Sequence, residues 1–352
     1  MAQRSQGGKD EVVLSVRNLK TYFFTRWGVT KAVDGVSFDL KKGETIGLVG
    51  ESGCGKSVTV LTVMRLVPIP PGRIMGGEVI LDGQDVLKLS EREMSAVRGR
   101  KIAMILQDPM TALNPVFSIQ NQVEEPLRIH QHLRGKTLFE KAVEALRLVR
   151  IPAPEVRMKD YPHQLSGGMR QRVVGAISIS CNPLVLVADE PTTSLDVTIQ
   201  AQYLRLLREL QEQVGLSIIF ITHDFGIVAK MCDRVNVMYA GKIIESADVR
   251  SIFNTPTHPY TQALIGSLPK LEEDVKRLYS IEGQPPALYD LPPGCSFSPR
   301  CPHVIDICKA EYPPEFIIGD SHISGCWLLK DSPVRDESEL GPAGRTFLQK
   351  AK

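Results

Sequence analysis

The chain has 352 residues, of which 43% are apolar and 23% charged, a balance that excludes disorder and collagen-like repeats. Forty-two Lys and Arg against forty Asp and Glu leave a formal charge of +2, too near neutral to imply a nucleic-acid partner by itself. At about 150 residues per domain the length suggests about two domains, with a core that needs no disulfide staples.

No stretch is apolar over the ~20 residues that a membrane helix requires. The nearest candidate, Val173 to Ala188, contains Asn182 and Pro183 and has charged residues on both sides. The polar start (MAQRSQGGKDE) lacks the apolar core of a signal peptide. Seven cysteines are then expected in a reducing compartment, and their odd number argues against a disulfide framework. The expectation is a cytosolic protein, or one attached to a membrane by something else.

After residues 1–10, Glu11 to Arg17 reads as a strand, and a second strand over Thr45 to Val49 runs into a glycine-rich turn. Val58 to Leu66 reads as a helix stopped by Pro68, Pro70 and Pro71. Short strands follow at Glu78 to Leu81 and Lys101 to Leu106, with Ser90 and Glu93 between them as a capping box. From about Asp108 to Leu165 the strands vanish, and Leu138, Ala142, Val143, Leu146 and Val149 recur at helical spacing. Strands at Leu184 to Ala188, Leu216 to Ile221 and Arg234 to Tyr239 alternate with helices near Val197 to Val214 and Asp224 to Met231. That alternation argues for a mostly parallel sheet in an α/β fold. Beyond about Asn254, Pro and Cys are dense and periodicity is poor, so a domain boundary is expected there.

Gly50-Glu51-Ser52-Gly53-Cys54-Gly55-Lys56-Ser57 fits G-x-x-x-x-G-K-[ST] between a strand and a helix, the setting that a phosphate-binding loop needs. Glycines let backbone N–H groups converge on phosphate oxygens, and the helix start adds its positive end. Lys56 would neutralise the β- and γ-phosphates and Ser57 would ligate Mg²⁺. Downstream, an apolar strand delivers Asp189 and Glu190 to the carboxyl edge of the sheet, where ligands of open α/β sheets bind. Asp189 would hold Mg²⁺ and Glu190 would orient the attacking water. A glycine-rich turn with a chance Lys-Ser and a solvated acidic turn are the plain alternatives; their coincidence in one chain favours nucleotide hydrolysis. Cys54 needs no redox role.

Leu165-Ser166-Gly167-Gly168-Met169-Arg170-Gln171, together with that loop, Gln107, Ser194-Leu195-Asp196 and Ile221-Thr222-His223-Asp224, resembles the ATPase subunit of ABC transporters. The resemblance covers about residues 11 to 350 and departs at Met169, where the family usually has Gln. It implies a P-loop ABC ATPase core with a mostly parallel sheet, an N-terminal antiparallel β part, a helical subdomain (about 108–165) and a small loop-rich C-terminal domain (254–352). It implies ATP sandwiched in a head-to-tail pair of cassettes, between one phosphate loop and the partner's Ser166, Gly167 and Gly168, with Asp196 crossing the interface. Gln107 would touch Mg²⁺ and the water, His223 the γ-phosphate, and Phe23 or its neighbour Tyr22 would stack on adenine. A structural histidine and a core aromatic are the plain alternatives for the last two.

His258-Pro259-Tyr260-Thr261-Gln262-Ala263-Leu264 and the run Gln107 to Pro115 (QDPMTALNP) look like oligopeptide and dipeptide importers, a tail that nickel and some oligosaccharide importers share. Cys295, Cys301, Cys308 and Cys326 follow in a segment that reads as poor in apolar core. Such a group calls for a metal or cluster, although zinc usually shows shorter paired spacings. The resemblance to dipeptide-type subunits implies a [4Fe–4S] cluster; structural zinc and free thiols are the alternatives. Cys181 and Cys232 read as buried structural thiols.

The sequence thus implies an ATPase that energises peptide import from the cytoplasmic face of the membrane. A second ABC cassette, identical or paralogous, two transmembrane permease subunits and an external solute-binding protein would be its partners. A soluble ABC-type ATPase of ribosomes or DNA usually carries two cassettes or a long coiled coil, and neither is present. A regulatory nucleotide-binding module is disfavoured because every hydrolytic position is filled.

Overall fold

Apolar runs and glycine breaks dictate the strands of the computed structural model, which describes residues 11–193, 195–268, 281–319 and 322–330. Residues 1–10, Ser194 and the end of the expected C-terminal domain (331–352) lie outside the described residues. In chain order the strands are β1 (Val12–Thr25), β2 (Gly28–Lys41), β3 (Thr45–Val49), β4 (Gly72–Leu81), β5 (Gln84–Asp85) and β6 (Ile102–Ile105). They continue with β7 (Val185–Asp189), β8 (Ser217–Ile221), β9 (Arg234–Tyr239), β10 (Lys242–Asp248), β11 (Phe316–Ile317) and β12 (Ile323–Ser324). The chain divides into two compact units, each discontinuous in sequence.

One unit gathers the described residues of Met1–Ser15 with Asp39–Thr45 and Val79–Ile221. Its sheet runs in the order β8-β7-β6, all parallel, with Ala188 opposite Phe220 on one side and Ile105 on the other. β7 and β8 are buried along their whole length. Continuous apolar runs such as VLVA and IIFI are what a parallel sheet covered on both faces selects. The predicted helical stretch is present as helices from Pro109 to Arg157, and Val123, Leu127, Leu138, Ala142 and Leu146 form its buried stripes. Ser90 and Glu93 form the predicted capping box: Glu93 N–H donates to the Ser90 hydroxyl (3.3 Å) and Ser90 N–H to the Glu93 carboxylate (2.8 Å). The helix Val197–Val214 ends at Gly215, whose φ of +70° is the left-handed stop that glycine supplies without strain.

The other unit comprises Val16–Phe38, Ile46–Glu78 and Thr222–Lys352, described within the ranges above. Its sheet order is β11-β12-β10-β9-β3, with β3 and β9 parallel and the remaining pairs antiparallel. Three findings extend the sequence reading. β1 runs on to Thr25 rather than stopping at Arg17, and β2 pairs beside it, a strand that residue patterning alone did not mark although the family resemblance implied a β part there. β10 is also new, and a bulge between Ile243 and Glu245 interrupts its register with β9. The helix after the glycine-rich turn ends at Val63 instead of Leu66, because Arg65 adopts φ +52° and breaks the helical path.

Candidate nucleotide site

The sequence from Gly50 to Ser57 leaves the end of β3 and enters the helix Lys56–Val63. Its glycines are dictated by crowding as well as by dihedral angle. A Cβ on Gly50 would lie 2.3 Å from the Met238 carbonyl oxygen, and one on Gly55 would lie 2.2 Å from that of Ala32. Both have positive φ (+148° and +109°), so the loop passes backbone to backbone between two strands. Lys56 is buried, with its ammonium donating to the carbonyls of Gly50 (2.8 Å) and Glu51 (2.9 Å). Cys54 lies buried beneath it at 3.7 Å, and burial pushes the Cys54 thiol up, which fits a packing role. Gly53 and Ser57 are exposed at the loop surface, as groups that meet a ligand must be. A loop of this shape at a helix N-terminus suits a polyphosphate.

Tyr22 and Phe23 are both half-buried on β1. The Tyr22 hydroxyl donates to Asp34 (2.6 Å); burial and that bond push it up to about 12. Phe23 lies against Gly72 at the start of β4. His223, exposed, follows Thr222, and Asp224 beside it caps the helix Phe225–Met231.

In the other unit, β7 ends in buried Asp189, and Glu190 turns off the strand with φ +44°. The Glu190 N–H donates to the Ile221 carbonyl (2.9 Å), and its carboxylate accepts from Gln107 Nε2 and Thr193 Oγ1, both at 3.0 Å. The structure therefore brings two sequence-predicted residues, Gln107 and Glu190, into direct contact. Ser166 caps the helix Gly167–Ile179 by accepting from Met169 N–H, and Asp196 caps Val197–Val214 by accepting from Thr198 and Ile199. Gly168 packs so closely on Ile199 that a Cβ would lie 2.8 Å from its methyl, which ties the Ser166 turn to the Asp196 turn.

Residues 33–193 match the ABC transporter family model, and residues 244–308 match that of the oligopeptide/dipeptide transporter C-terminal region. The chain is 50% identical over 318 residues to the dipeptide transport ATP-binding protein DppD of Bacillus subtilis, covering 90% of this chain and 95% of that one. The chain belongs to the ATP-binding subunits of oligopeptide and dipeptide ABC transporters. The oligopeptide transport ATP-binding protein OppD of the same organism is 49% identical, over 93% of this chain and 92% of the relative. A solved dimeric bacterial ABC transporter cassette, MJ0796, superposes with TM-score 0.59 at 27% identity over 67% of this chain and 99% of that one. The subunit is thus an ATPase with the ABC cassette fold. Among the described residues no helix is long and apolar enough to cross a membrane.

The cysteine-rich segment of this ABC subunit requires a correction. Among the described residues no group of three or more His, Cys, Asp or Glu side chains could hold a metal ion, so neither the [4Fe–4S] cluster nor structural zinc is supported at Cys295, Cys301, Cys308 and Cys326. All four are free thiols. Burial pushes Cys326 up to about 12 and Cys301 to about 11 and raises Cys295 as well, so these sulfurs keep their protons. The premise that failed was the missing core. Ile318, Cys326 and Leu329 form a buried cluster with Phe316 and Leu328, while Phe297 packs on Tyr239 (5.3 Å) and Tyr260 (5.4 Å). Cys181 and Cys232 are buried, as a packing role requires.

Sequence reasoning missed Arg300. Its side chain is 4% exposed, and the guanidinium grips the Glu51 carboxylate through both terminal nitrogens, Nη1 at 2.7 Å and Nη2 at 3.0 Å. The pair is 249 positions apart, beyond any spacing rule. Tyr260, singled out only within a family-like segment, accepts the Glu51 N–H at its hydroxyl (2.9 Å).

Proposed function

We propose that this subunit hydrolyses ATP to energise import of di- or oligopeptides. It works on the cytoplasmic face of the membrane as a peripheral protein beside permease subunits, a second cassette and an external solute-binding protein. The observation that carries the peptide substrate is the match of residues 244–308 to the oligopeptide/dipeptide C-terminal region, which a generic cassette lacks.

The roles follow from chemistry. Within the loop Gly50 to Ser57, the backbone N–H groups of Ser52, Gly53 and Gly55, with the helix start, cradle the phosphates, and the Lys56 ammonium neutralises them; the Glu51 and Cys54 N–H groups are spent on holding the loop's own shape. The crowding around Gly50 and Gly55 fits a loop reserved for close backbone approach. Ser57, Gln107 and Asp189 each carry an oxygen donor of the kind Mg²⁺ selects and are the residues that would hold the ion, which would offset charge on the transferring phosphoryl group. Glu190, held by Gln107 and Thr193, orients the attacking water, and His223 faces the γ-phosphate. Phe23 or Tyr22 receives adenine. Ser166, Gly167, Gly168 and Asp196 serve the partner cassette's nucleotide.

Detergent extraction of the tagged full-length chain tests the reading. Multispanning permease subunits should co-purify, and labelled dipeptide uptake should stop in cells carrying only Glu190→Gln. Ribosomal proteins in place of permeases would overturn it.

A further inference from the structure

Glu51 sets a problem that the phosphate loop alone does not solve. The second position of a loop built to collect anions carries a carboxylate, which would repel the phosphates it sits beside. The structure answers with residues from beyond Asn254. Arg300 meets the carboxylate in a two-pronged pair, the charge-assisted geometry that is strongest and most directional. That hydrogen bond to Glu51 also holds the guanidinium above its ordinary value. Arg300 is itself fixed: its Nε donates to the Glu282 carbonyl (3.1 Å), its Nη1 to the Tyr239 hydroxyl (3.3 Å), and its guanidinium lies over the Tyr239 and Phe297 rings.

The grip is complete at Glu51. Its N–H goes to the Tyr260 hydroxyl, its carboxylate to Arg300, and its carbonyl accepts from Lys56. The same segment reaches the β1–β2 hairpin, where Lys31 N–H donates to the Leu288 carbonyl (3.1 Å) and Gly28 packs against Tyr289. We infer that Arg300, with Tyr260, is a positioning residue of the nucleotide site: the C-terminal segment fixes the second residue of the phosphate loop and cancels its charge, so ATP affinity depends on it. This rests on the assignment of Gly50 to Ser57 as the phosphate site. Arg300 works through Glu51 and is not itself a catalytic residue.

Charge cancellation and mere packing separate in a double-mutant cycle on the full-length chain, read by equilibrium titration with ATP. Arg300→Ala should weaken ATP binding about tenfold by leaving the carboxylate bare. Glu51→Gln alone should cost less than about threefold, and Glu51→Gln with Arg300→Ala should return to within about threefold of Glu51→Gln. A double variant as weak as Arg300→Ala would mean lost packing and overturn the inference, as would wild-type affinity in Arg300→Ala. In nucleotide-free protein, amide hydrogen exchange over residues 51–55 should speed up in Arg300→Ala and be partly restored in Arg300→Lys. Should Arg300→Ala not fold, Arg300→Gln decides, because it keeps a polar side chain but no charge, and wild-type affinity and exchange in that variant overturn the inference. Lys56→Ala tests the underlying assignment separately: undiminished ATP affinity there would remove the phosphate site itself, whatever Arg300 does.

Discussion

Gln107 and Glu190 are joined by a 3.0 Å hydrogen bond from the glutamine amide to the carboxylate, across 83 positions of sequence. Thr193 donates to the same oxygen, so the carboxylate has a fixed direction as it leaves β7. A glutamate that orients water must keep its charge and its aim. Glu190→Gln keeps the shape and loses the charge, so turnover should fall by about 10²–10⁴ with ATP affinity held within about threefold. Gln107→Ala should show a smaller fall. Steady-state hydrolysis and nucleotide titration of the same preparations check both, and near-wild-type single-turnover rates in Glu190→Gln would remove the assignment.

Lys56→Ala should act on binding instead. Its ammonium is the buried charge of the loop and also ties the Gly50 and Glu51 carbonyls together. Removing it should weaken ATP binding by at least about tenfold. Equal affinities for Lys56→Ala and Glu190→Gln would contradict the division of roles.

The glycines of the loop should differ sharply from one another. Gly55→Ala places a methyl 2.2 Å from the Ala32 carbonyl oxygen at φ +109° and should cost about 3 kcal/mol or more. Gly53→Ala meets nothing within 4 Å, and its φ of +80° alone should cost about 1–2 kcal/mol. Urea midpoints rank the two, and a Gly53→Ala penalty matching Gly55→Ala would discredit the crowding argument.

Stability should fall as pH drops from about 6.5 toward 4. Burial holds His258 down at about 4, so the folded chain keeps it neutral while the unfolded chain protonates it near its ordinary value. Its contribution is fully present above about 6.5 and disappears by about 4, amounting to about 3 kcal/mol at most. Glu245 extends the loss to more acid pH, because its stabilisation is complete above its ordinary value and is lost only below it. Burial opposes its charge, but hydrogen bonds from His322 (2.8 Å) and Thr257 (2.7 Å) hold the carboxylate below its ordinary range, so acid removes that stabilisation too. His258→Asn, which keeps an acceptor for Tyr260 N–H, should flatten urea midpoints over that range; an unchanged slope would clear His258 of the effect.

Legibility in the sequence followed the range of the interaction. β3, β7 and β8 were readable because unbroken apolar runs declare buried parallel strands. The phosphate loop and the Asp189–Glu190 edge were readable because their chemistry is packed into consecutive residues. β2 buries Val36, Phe38 and Leu40 at strand spacing, but Gly28, Gly35 and the polar residues between them break up the apolar pattern along its length. β10 hid because its bulge puts Ile244 and a buried Glu245 side by side, which breaks alternation and places charge where none is expected. The tail misled for a related reason: its apolar core comes from Phe297, Ile318 and Leu329, scattered without period among cysteines that drew attention to metal.

The order of residues also gives the Glu51–Arg300 pair a place in time. A growing chain presents its glycine loop 249 residues before the arginine that neutralises it is made. At about 5–20 residues per second, that interval is about 12–50 s. During it the nascent protein carries the anion-gathering loop with an uncancelled carboxylate, and only late synthesis brings in the guanidinium. A later-made part of the polypeptide thus completes a motif made long before it.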